Sequence, residues 1–389
     1  MEANLPRFFR AMAKIDAPVA QYKICSTLDS SPEVGSIGKA LEIGLRTFDN
    51  GNWIPFITAA PPLGRYQLFA NLFAAINGVG HRLDRHPVMS RHPVTPMHEA
   101  DVRLHLAEQT DIPIGLVDYP TLRAGRGPEA LARELAAGRR IVTLDVIEEE
   151  SLADAGQLIW EERGGNPIFT IGSQGIEYAL AAYFRRTGAL AAMPPAPRAA
   201  KAERVAVVSG SCSPITAAQI AWAEERGFAM IRLDPRLAIE PKAWKNELAR
   251  VIELAIAAMG QGKDPLVFSA KGPDDPAVGD FFQAVKTAGA DSVTVNETIG
   301  KGFGQVLDTL IRKTGLKRGI IAGGDTSSYG AQELNIYALT LLAATLPGAS
   351  LYKAHSDDPV FANLEIALKG GQMGAPQYFG HIKDGGLAA

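Results

Sequence analysis

The sequence GIIAGGDTSSYGAQELNIYALTLL, from Gly319 to Leu342, is the most informative part of the chain. Its apolar start ends in Gly323 and Gly324 and is followed by a long helical pattern, which predicts a strand that leads directly into a long final helix. Such a turn leaves backbone N–H groups at the positive end of the helix dipole, where an anion binds favourably. Asp325 would repel a bare phosphate there, but it would suit a phosphate that carries a divalent cation.

The rest of the chain continues the alternation of apolar runs and helical patterns, starting from a predicted strand at residues 21–25. The alternation is interrupted by GALAAMPPAPRAAKAE, which is rich in Ala and Pro and lacks apolar periodicity. We therefore predict an α/β fold of two domains, residues 1–187 and 204–389, joined by a linker at 188–203. Each domain should be a mostly parallel sheet covered by helices.

Composition excludes several classes of protein. The net charge of −3 gives no basic field for nucleic acid or an anionic membrane. No apolar stretch approaches the roughly 20 residues that span a bilayer, and the start of the chain lacks a signal-peptide core. The two cysteines, Cys25 and Cys212, are far apart and form no CxxC pair. We therefore expect a cytoplasmic protein with neither nucleic acid nor membrane as a partner.

The strand, Gly/Ser turn and helix pattern occurs twice more, in VAVVSGSCSPITAAQIAWAEE and in PIFTIGSQGIEYALAAYF. Each turn is also compatible with a plain helix N-cap, because Ser and Thr caps are common. Neither GxxxxGK[ST] nor a complete GxGxxG is present, which disfavours a P-loop or a dinucleotide fingerprint.

The segment LEIALKGGQMG places Lys369 directly before Gly370 and Gly371. Glycines at this point would let a flat base or a phosphate approach the backbone, and the ammonium could neutralise phosphate charge. A turn with a solvated lysine is the simpler alternative.

Different chemistry marks the N-terminal half. Hydroxyls and charges crowd the turn after the first predicted strand, at Lys23, Ser26, Thr27, Asp29, Ser30 and Ser31. Further cations follow at Arg65 and in a Pro-broken polar insert at residues 81–96, which contains Arg82, Arg85, His86, Arg91, His92 and Thr95. These groups suit a polyhydroxylated carboxylate, since Arg binds the acid bidentately and small polar side chains hold hydroxyls. Asp29 could instead cap the helix that follows.

Five of the seven histidines lie between His81 and His105, which raises the question of a metal. However, His86 and His92 each precede a proline, so they do not form a helical i, i+4 pair, and no HExxH motif occurs. We predict that they have structural or substrate-contacting roles rather than a metal-binding one.

Taken together, YKICSTLDSSPEVGSIG, HPVTPM, VVSGSCSPIT, AGGDTSSYGAQEL and LEIALKGGQMG resemble the four-carbon acid sugar kinase family. Members phosphorylate tetronates and related sugar acids with ATP, so the resemblance implies a phosphotransferase that acts on an alcohol group. It also implies that the N-terminal domain holds the sugar acid and the C-terminal domain holds ATP with Mg²⁺.

The resemblance places ATP contacts at Ser209, Ser211, Ser213, Gly323, Gly324, Asp325, Thr326, Ser327 and Gly371, to which the residues themselves add Lys369 and Gly370. The candidate substrate contacts are Lys23, Ser26, Thr27, Asp29, Ser30, Arg65, Arg85, His92 and Thr95. Asp325 is the candidate for metal contact or catalytic base, and Asp29 is the candidate catalytic carboxylate on the substrate side.

The chain also departs from the family pattern. The family opens with an Asp-Asp-Phe/Leu-Thr-Gly turn that is absent before Tyr22, so we expect the first strand and helix units to be missing. The additional RLDRHPVM and the SSYG sequence resemble a subgroup that acts on a branched or keto sugar acid such as 3-oxo-isoapionate.

Two other functions remain open, as does assembly into a homodimer. One is a catalytically incomplete nucleotide-binding remnant, suggested by the missing opening turn. The other is a hydrolase in which Cys212 or Ser211 attacks an acyl group, although the G-x-S-x-G pattern is incomplete.

Overall fold

The computed structural model describes residues 1–48, 53–76, 78–92, 94–191, 198–345 and 348–386. The chain forms two compact units, Met1–Ala192 and Met193–Ala389. Within the predicted linker, residues 192–197 lie outside the described residues. The residues after them belong to the second unit, because Ala199 N donates to Gly385 O (2.9 Å) and Ala202 N donates to Lys383 O (2.8 Å).

The first unit is built around a parallel sheet with strand order β1-β8-β2-β7-β6. Its elements are α1 (Leu5–Ala13), β1 (Val19–Lys23), α2 (Ile37–Thr47), β2 (Ile54–Ile57), β3 (Arg65–Leu68), β4 (Asn71–Ile76), β5 (Val79–Arg82), α3 (Val102–Ala107), β6 (Ile114–Val117), α4 (Tyr119–Arg123), α5 (Gly127–Ala136), β7 (Ile141–Leu144), α6 (Glu149–Glu161), β8 (Ile168–Gly172) and α7 (Gly175–Arg186).

Both faces of this sheet are covered, which explains why every residue of its three central strands, β8, β2 and β7, is buried. All four residues of β2 are buried. Ile54 and Phe56 pack on one face with Phe9 of α1, whereas Ile57 packs on the other face with Leu158 of α6. The alternation of strand side chains thus divides the core of this unit into two layers.

A separate antiparallel sheet of β3, β4 and β5 extends from the carboxyl end of β2. Its first turn has Phe69 and Ala70 at φ of 48° and 62°, a left-handed conformation that is uncommon outside glycine. The buried carboxylate of Asp145 stabilises the turn by accepting from Phe69 N (2.6 Å) and Ala70 N (3.0 Å). The polar insert predicted at residues 81–96 is wrong at its start, because His81 and Arg82 belong to strand β5.

The second unit contains a mixed sheet with strand order β10-β11-β9-β12-β15-β14-β13. Its elements are β9 (Ala206–Ser209), α8 (Pro214–Glu225), β10 (Ala229–Arg232), α9 (Pro241–Gly260), β11 (Pro265–Phe268), α10 (Pro276–Ala288), α11 (Ser292–Thr314), β12 (Arg318–Ala322), α12 (Gly324–Gln332), β13 (Ala338–Ala343), β14 (Leu351–His355), β15 (Glu365–Lys369) and α13 (Tyr378–Lys383). Among the described residues, the antiparallel pairs of this sheet are β13 with β14 and β14 with β15, and its other strand pairs are parallel.

Helices cover both faces of the second sheet as well. Val208 packs with Leu248 of α9 and Leu307 of α11, whereas Val207 packs on the opposite face with Ile220 of α8. The two units thus confirm the predicted fold class, two α/β domains whose mostly parallel sheets are covered by helices.

The predicted long final helix is wrong. Helix α12 ends at Gln332, and residues Ala338–Ala343 form β13, an edge strand that pairs antiparallel with β14. A short apolar run fits a helix or a strand equally well by periodicity, so pairing with β14 decides between them. Helix α1, which begins with Pro6 in its first turn, is a further element that the sequence analysis did not predict.

Candidate active site

Three segments of the second unit meet at one edge of its sheet. After β9 the chain continues to β10 on one side, and after β12 it continues to β13 at the opposite side. Adjacent strands whose connections diverge in this way form a topological switch point, where α/β sheets bind ligands. Ala322 of β12 is the register partner of both Ser209 and Lys369. The SGSCS, GGDTS and KGG segments therefore start at the same level, as neighbours.

The turn between β12 and α12 depends on glycine. Gly323 has a φ of +121°, and its N–H donates to Lys369 O (2.9 Å). The first helical hydrogen bond runs from Ser327 N to Gly323 O (2.8 Å). The N–H groups of Gly324, Asp325 and Thr326 precede that bond and lie at the positive end of α12, as the sequence predicted.

The SGSCS segment lies against this turn. Gly210 N donates to Ala322 O (3.2 Å), and a Cβ added at Gly210 would lie 2.3 Å from Thr326 Oγ1. Ser213 is the N-cap of α8, since its Oγ accepts from Thr216 N (3.0 Å). Glycine at position 210 thus permits the close approach of two turns that belong to different strands.

Lys369 is buried rather than solvated, so the alternative of a solvated lysine is wrong. The side chain is 1% exposed, and its Nζ donates to Thr216 Oγ1 (3.0 Å). Among the residues that the structure describes, no carboxylate forms an ion pair with it. Burial lowers the pKa of Lys369 from 10.5 to about 8. The switch point therefore contains a cation that lacks a counter-ion.

The KGG segment is joined to the SGSCS segment by hydrogen bonds. Gly371 O accepts from Ser213 Oγ (2.5 Å), and a Cβ added at Gly371 would lie 2.8 Å from Ser211 Oγ. The hydroxyl of Ser209, which is fully buried, has no hydrogen-bond partner in the part of the chain that the structure describes. These contacts bring Ser209, Ser211, Ser213, Lys369 and Gly371 into one site.

The hydrolase alternative lacks an activated nucleophile. Burial, together with the charge of Asp275, raises the pKa of Cys212, whereas a catalytic thiol needs a lowered pKa. The Ser211 hydroxyl accepts a hydrogen bond from Thr216 Oγ1 (2.9 Å) and has a neighbouring threonine rather than a base. The described contacts of Ser211 thus include no general base, and the Cys212 thiol is not activated.

In the first unit, the loop after β1 has a defined shape. Leu28 is fully buried at a φ of 54°, and the Ser30 hydroxyl donates to Leu28 O (3.1 Å). Asp29 is exposed and accepts from Thr27 Oγ1 (3.0 Å). The N-cap of α2 is Ser36, so the alternative interpretation of Asp29 as the cap is wrong.

Arg65 lies near this loop. Its Nη1 donates to Leu63 O (3.0 Å) and Ala75 O (3.3 Å), whereas its Nε is buried and has no partner among the residues that the structure describes. Burial lowers the pKa of Arg65, and the nearby Cys25 and Asp29 act in the opposite direction. Arg65 therefore interacts electrostatically with Asp29 of the loop after β1, and its Nε has no hydrogen-bond partner among the described residues.

The remaining candidate substrate contacts in the first unit lie at separate places rather than in one cluster. His92 Nδ1 accepts from Thr95 N (3.1 Å), and the Thr95 hydroxyl lies 2.9 Å from the same nitrogen, so this pair also has a structural role. Arg85 is largely exposed beside Asp84 (3.5 Å). Lys23 is exposed at the end of β1. Within the described ranges, no group of three or more His, Cys, Asp or Glu side chains is arranged to hold a metal ion.

One buried residue of the second unit, Thr216, was not identified from the sequence, whereas His86 was predicted to have a structural or substrate-contacting role. Burial, and then the charges of Arg65 and His81, lower the pKa of His86. Thr216 is fully buried and touches Lys369. The spacing Ser213-x-x-Thr216, which joins an N-cap to the third helical position, was the available signal for Thr216.

A helix N-terminus and a buried lysine at the switch point of an α/β sheet are features of a nucleotide-binding domain. In agreement, residues 206–379 match the family pattern described as a nucleotide-binding C-terminal domain, and residues 1–180 match a sugar-binding N-terminal domain. The chain belongs to the four-carbon acid sugar kinase family, and it is a sugar-acid kinase.

Relatives of known activity support this assignment. The chain is 47% identical over 388 residues to a 3-oxo-isoapionate kinase of Paraburkholderia graminis, covering 100% of this chain and 82% of the relative. It is 31% identical over 366 residues to a 3-oxo-tetronate kinase of Cupriavidus necator, covering 92% of this chain and 77% of the relative. The predicted family resemblance is therefore confirmed.

Solved structures show the same fold. A Salmonella typhimurium LT2 protein that bears the name of a tRNA synthase superposes with a TM-score of 0.72 at 21% identity, covering 96% of this chain and 82% of that one. A Haemophilus influenzae protein superposes with a TM-score of 0.63 at 24% identity, covering 97% and 84%. Among the described helices, none combines the length and apolarity needed to cross a membrane.

Proposed function

We propose that this chain transfers the γ-phosphoryl group of ATP to a terminal hydroxyl of 3-oxo-isoapionate, a branched keto sugar acid. The observation that carries ATP use is the buried, uncompensated ammonium of Lys369 at the switch point. The choice of sugar acid rests on the 47% identity to a 3-oxo-isoapionate kinase. A 3-oxo-tetronate is the second candidate, supported by 31% identity over 92% of the chain.

In this proposal the triphosphate lies at the N-terminus of α12. The N–H groups of Gly324, Asp325 and Thr326 bind its oxygens, and the Lys369 ammonium supplies the positive charge. Transfer of a phosphoryl group depends mainly on positioning and on such electrostatic stabilisation. The other proposed nucleotide contacts are Ser209, Ser211, Ser213, Gly323, Ser327, Gly370 and Gly371.

Asp325 is the residue proposed to hold Mg²⁺ together with the phosphates. Its carboxylate is exposed in the first turn of α12, and among the described residues it forms no ion pair. A hard carboxylate oxygen next to phosphate oxygens fits the ligand preference of Mg²⁺. The ion would neutralise phosphate charge there, and without it Asp325 would repel the nucleotide.

In this proposal the sugar acid binds at the carboxyl ends of the strands in the sheet of the first unit. Arg65 has a buried Nε for which the described residues provide no acceptor, so a substrate carboxylate would satisfy this donor. Asp29, which lies near Arg65, is the proposed carboxylate that orients the reacting hydroxyl. The other proposed sugar contacts are Lys23, Ser26, Thr27, Ser30, Arg85, His92 and Thr95.

A coupled ADP-release assay tests the function. The panel contains 3-oxo-isoapionate, 3-oxo-tetronates, threonate and erythronate, and ³¹P NMR identifies the phosphate monoester that forms. We expect the highest kcat/KM with 3-oxo-isoapionate. If calorimetry detects ATP binding but no acid is phosphorylated, the nucleotide-binding remnant is the better description.

A further inference from the structure

Thr216 lies at the centre of the switch-point contacts, although its role is not explained by the nucleotide contacts proposed above. It is the third residue of α8 and is fully buried. Its Oγ1 lies 3.0 Å from Lys369 Nζ, 2.9 Å from Ser211 Oγ and 3.2 Å from Gly371 O. One hydroxyl therefore touches both of the segments that flank β12.

The hydrogen positions follow from the available donors. A hydroxyl has one proton and two lone pairs, and an ammonium can only donate. Lys369 therefore donates to Thr216 Oγ1. The Gly371 carbonyl oxygen already accepts a hydrogen bond from Ser213 Oγ (2.5 Å). Thr216 Oγ1 therefore donates its proton to Ser211 Oγ (2.9 Å). The result is a chain of hydrogen bonds from Lys369 through Thr216 to Ser211.

This chain leaves three donors available for a ligand. Two protons of the Lys369 ammonium have no partner among the described residues, and the Ser211 hydroxyl accepts from Thr216 and keeps its own proton. We propose that Thr216 is a positioning residue for phosphoryl transfer, whose hydroxyl directs the Lys369 ammonium and the Ser211 hydroxyl toward the nucleotide phosphates. The inference rests on the proposed function.

A hydroxyl is well suited to this position. A carboxylate at the same distance would pair with Lys369 and cancel the charge that attracts phosphate. An apolar side chain would leave the buried ammonium without any acceptor, which is costly. A neutral acceptor satisfies one donor, fixes the direction of the side chain and preserves its charge.

Replacement of Thr216 by Val tests the role, because Val has nearly the same shape and cannot accept a hydrogen bond. Loss of the bond to a charged donor should raise the KM for ATP about tenfold and lower kcat at saturating ATP by a smaller factor. It should also lower the pKa of Lys369 further, because a bond that stabilises the ammonium is lost. The midpoint of the alkaline limb in the pH profile of kcat/KM should therefore shift to a pH about one unit lower.

Two further variants separate positioning from a general effect on folding. Thr216→Ser retains the hydroxyl and should restore the ATP KM and the alkaline limb. Thr309→Val is the matched control, because the hydrogen bond described for the Thr309 hydroxyl is a donation to Gln305 O (2.8 Å) within α11. It should leave both kinetic quantities unchanged. A role limited to packing would lower the amount of folded Thr216→Val enzyme but would not move its pH profile.

A titration of the Lys369 ammonium by NMR in ¹⁵N-lysine-labelled, ligand-free protein gives a readout that does not depend on turnover. We expect a lower pKa in Thr216→Val than in the wild type and in Thr216→Ser. An unchanged pKa, or an ATP KM and alkaline limb equal to those of the active wild type, would overturn the role of Thr216 alone. Failure of the wild type to turn over ATP with any acid in the panel would instead overturn the proposed function and this inference together.

Discussion

Replacing Lys369 by Met should make the ligand-free protein more stable and its binding of ATP weaker. The ammonium is 1% exposed and has one hydroxyl partner, Thr216, so the protein buries a charge with little compensation. Methionine has a similar length, fills irregular space and carries no charge. Exchanging a buried charge for an apolar side chain of similar volume is often stabilising.

The magnitude follows from the pKa. A decrease in the pKa of Lys369 from 10.5 to about 8 corresponds to about 3 kcal/mol of destabilisation of the folded state near neutral pH. Loss of the hydrogen bond to Thr216 Oγ1 returns about 1 kcal/mol of that gain. We therefore expect Lys369→Met to raise the free energy of unfolding by about 2 kcal/mol at pH 7.

The pH dependence has a definite sign. Because the pKa is lower in the folded state, the penalty is fully present below about pH 8 and is relieved as the pH rises toward 10.5. In that window the unfolded wild type binds more protons than the folded one, so wild-type stability gains a term that increases with pH. Lys369→Met lacks this term, and its advantage should be lost by about pH 10.

Urea denaturation at pH 7 and pH 10 measures these quantities, and calorimetry should show ATP binding weakened at least about tenfold by the loss of the charged contact. Lys383→Met is the matched control. Lys383 forms an ion pair with Asp264 (2.5 Å), so its replacement should destabilise the protein. A Lys369→Met variant that is less stable than the wild type at pH 7, with an unchanged m value, would contradict a destabilising charge at Lys369.

Three further predictions concern the same site. Asp325→Ala should lower kcat at least ~10²-fold, the scale of one lost electrostatic stabiliser, with little change in Tm because the side chain is exposed; near-normal turnover in the coupled assay would contradict the role of Asp325. Gly210→Ala places a Cβ 2.3 Å from Thr326 Oγ1 and should raise the KM for ATP about tenfold, whereas Gly279→Ala, with open space at its Cβ, should not. ATP binding at pH 8 should take up about half a proton as Lys369 becomes fully charged, measured by calorimetry in two buffers of different ionisation enthalpy; equal apparent enthalpies in both buffers would argue against a phosphate contact at Lys369.

Much of the second unit could be predicted from local patterns. The turn at Gly323 and Gly324 is a short-range signal, because a strand, two glycines and a helical pattern are contiguous in the chain. The pairing of Ala322 with both Ser209 and Lys369 joins residues that are distant in sequence. The sequence therefore predicts each segment, but the sheet order that brings the three segments together needs the structure.

The errors have identifiable physical causes. The left-handed turn at Phe69 and Ala70 has no glycine, and it depends on the Asp145 carboxylate more than seventy residues away. No local rule indicates such a turn. The strand β13 was taken for a helix because its apolar residues fit both periods, and only the antiparallel partner β14 selects the strand. In both cases a long-range contact overrides the local pattern.

The burial of Lys369 was missed for a similar reason. A lysine followed by two glycines predicts an exposed turn, because lysine is rarely buried without a partner. The loops after β9 and β12 enclose the Lys369 side chain, and Thr216 accepts the hydrogen bond from its ammonium. The sequence leaves two roles open for Asp29, a cap of the following helix or a residue of the site. Because Ser36 is the N-cap of α2, the capping role is excluded.

The common register of Ser209, Ala322 and Lys369 also limits how this protein can change. A deletion within β12 would move its end by about 3.4 Å relative to both neighbours and turn every following side chain to the opposite face. Length changes in this strand would therefore disrupt all three segments together, and adaptation there is restricted to exchange of side chains. The sugar-acid contacts proposed in the loop after β1 are not bound by this register, so under the proposed function a new substrate preference would evolve more easily there.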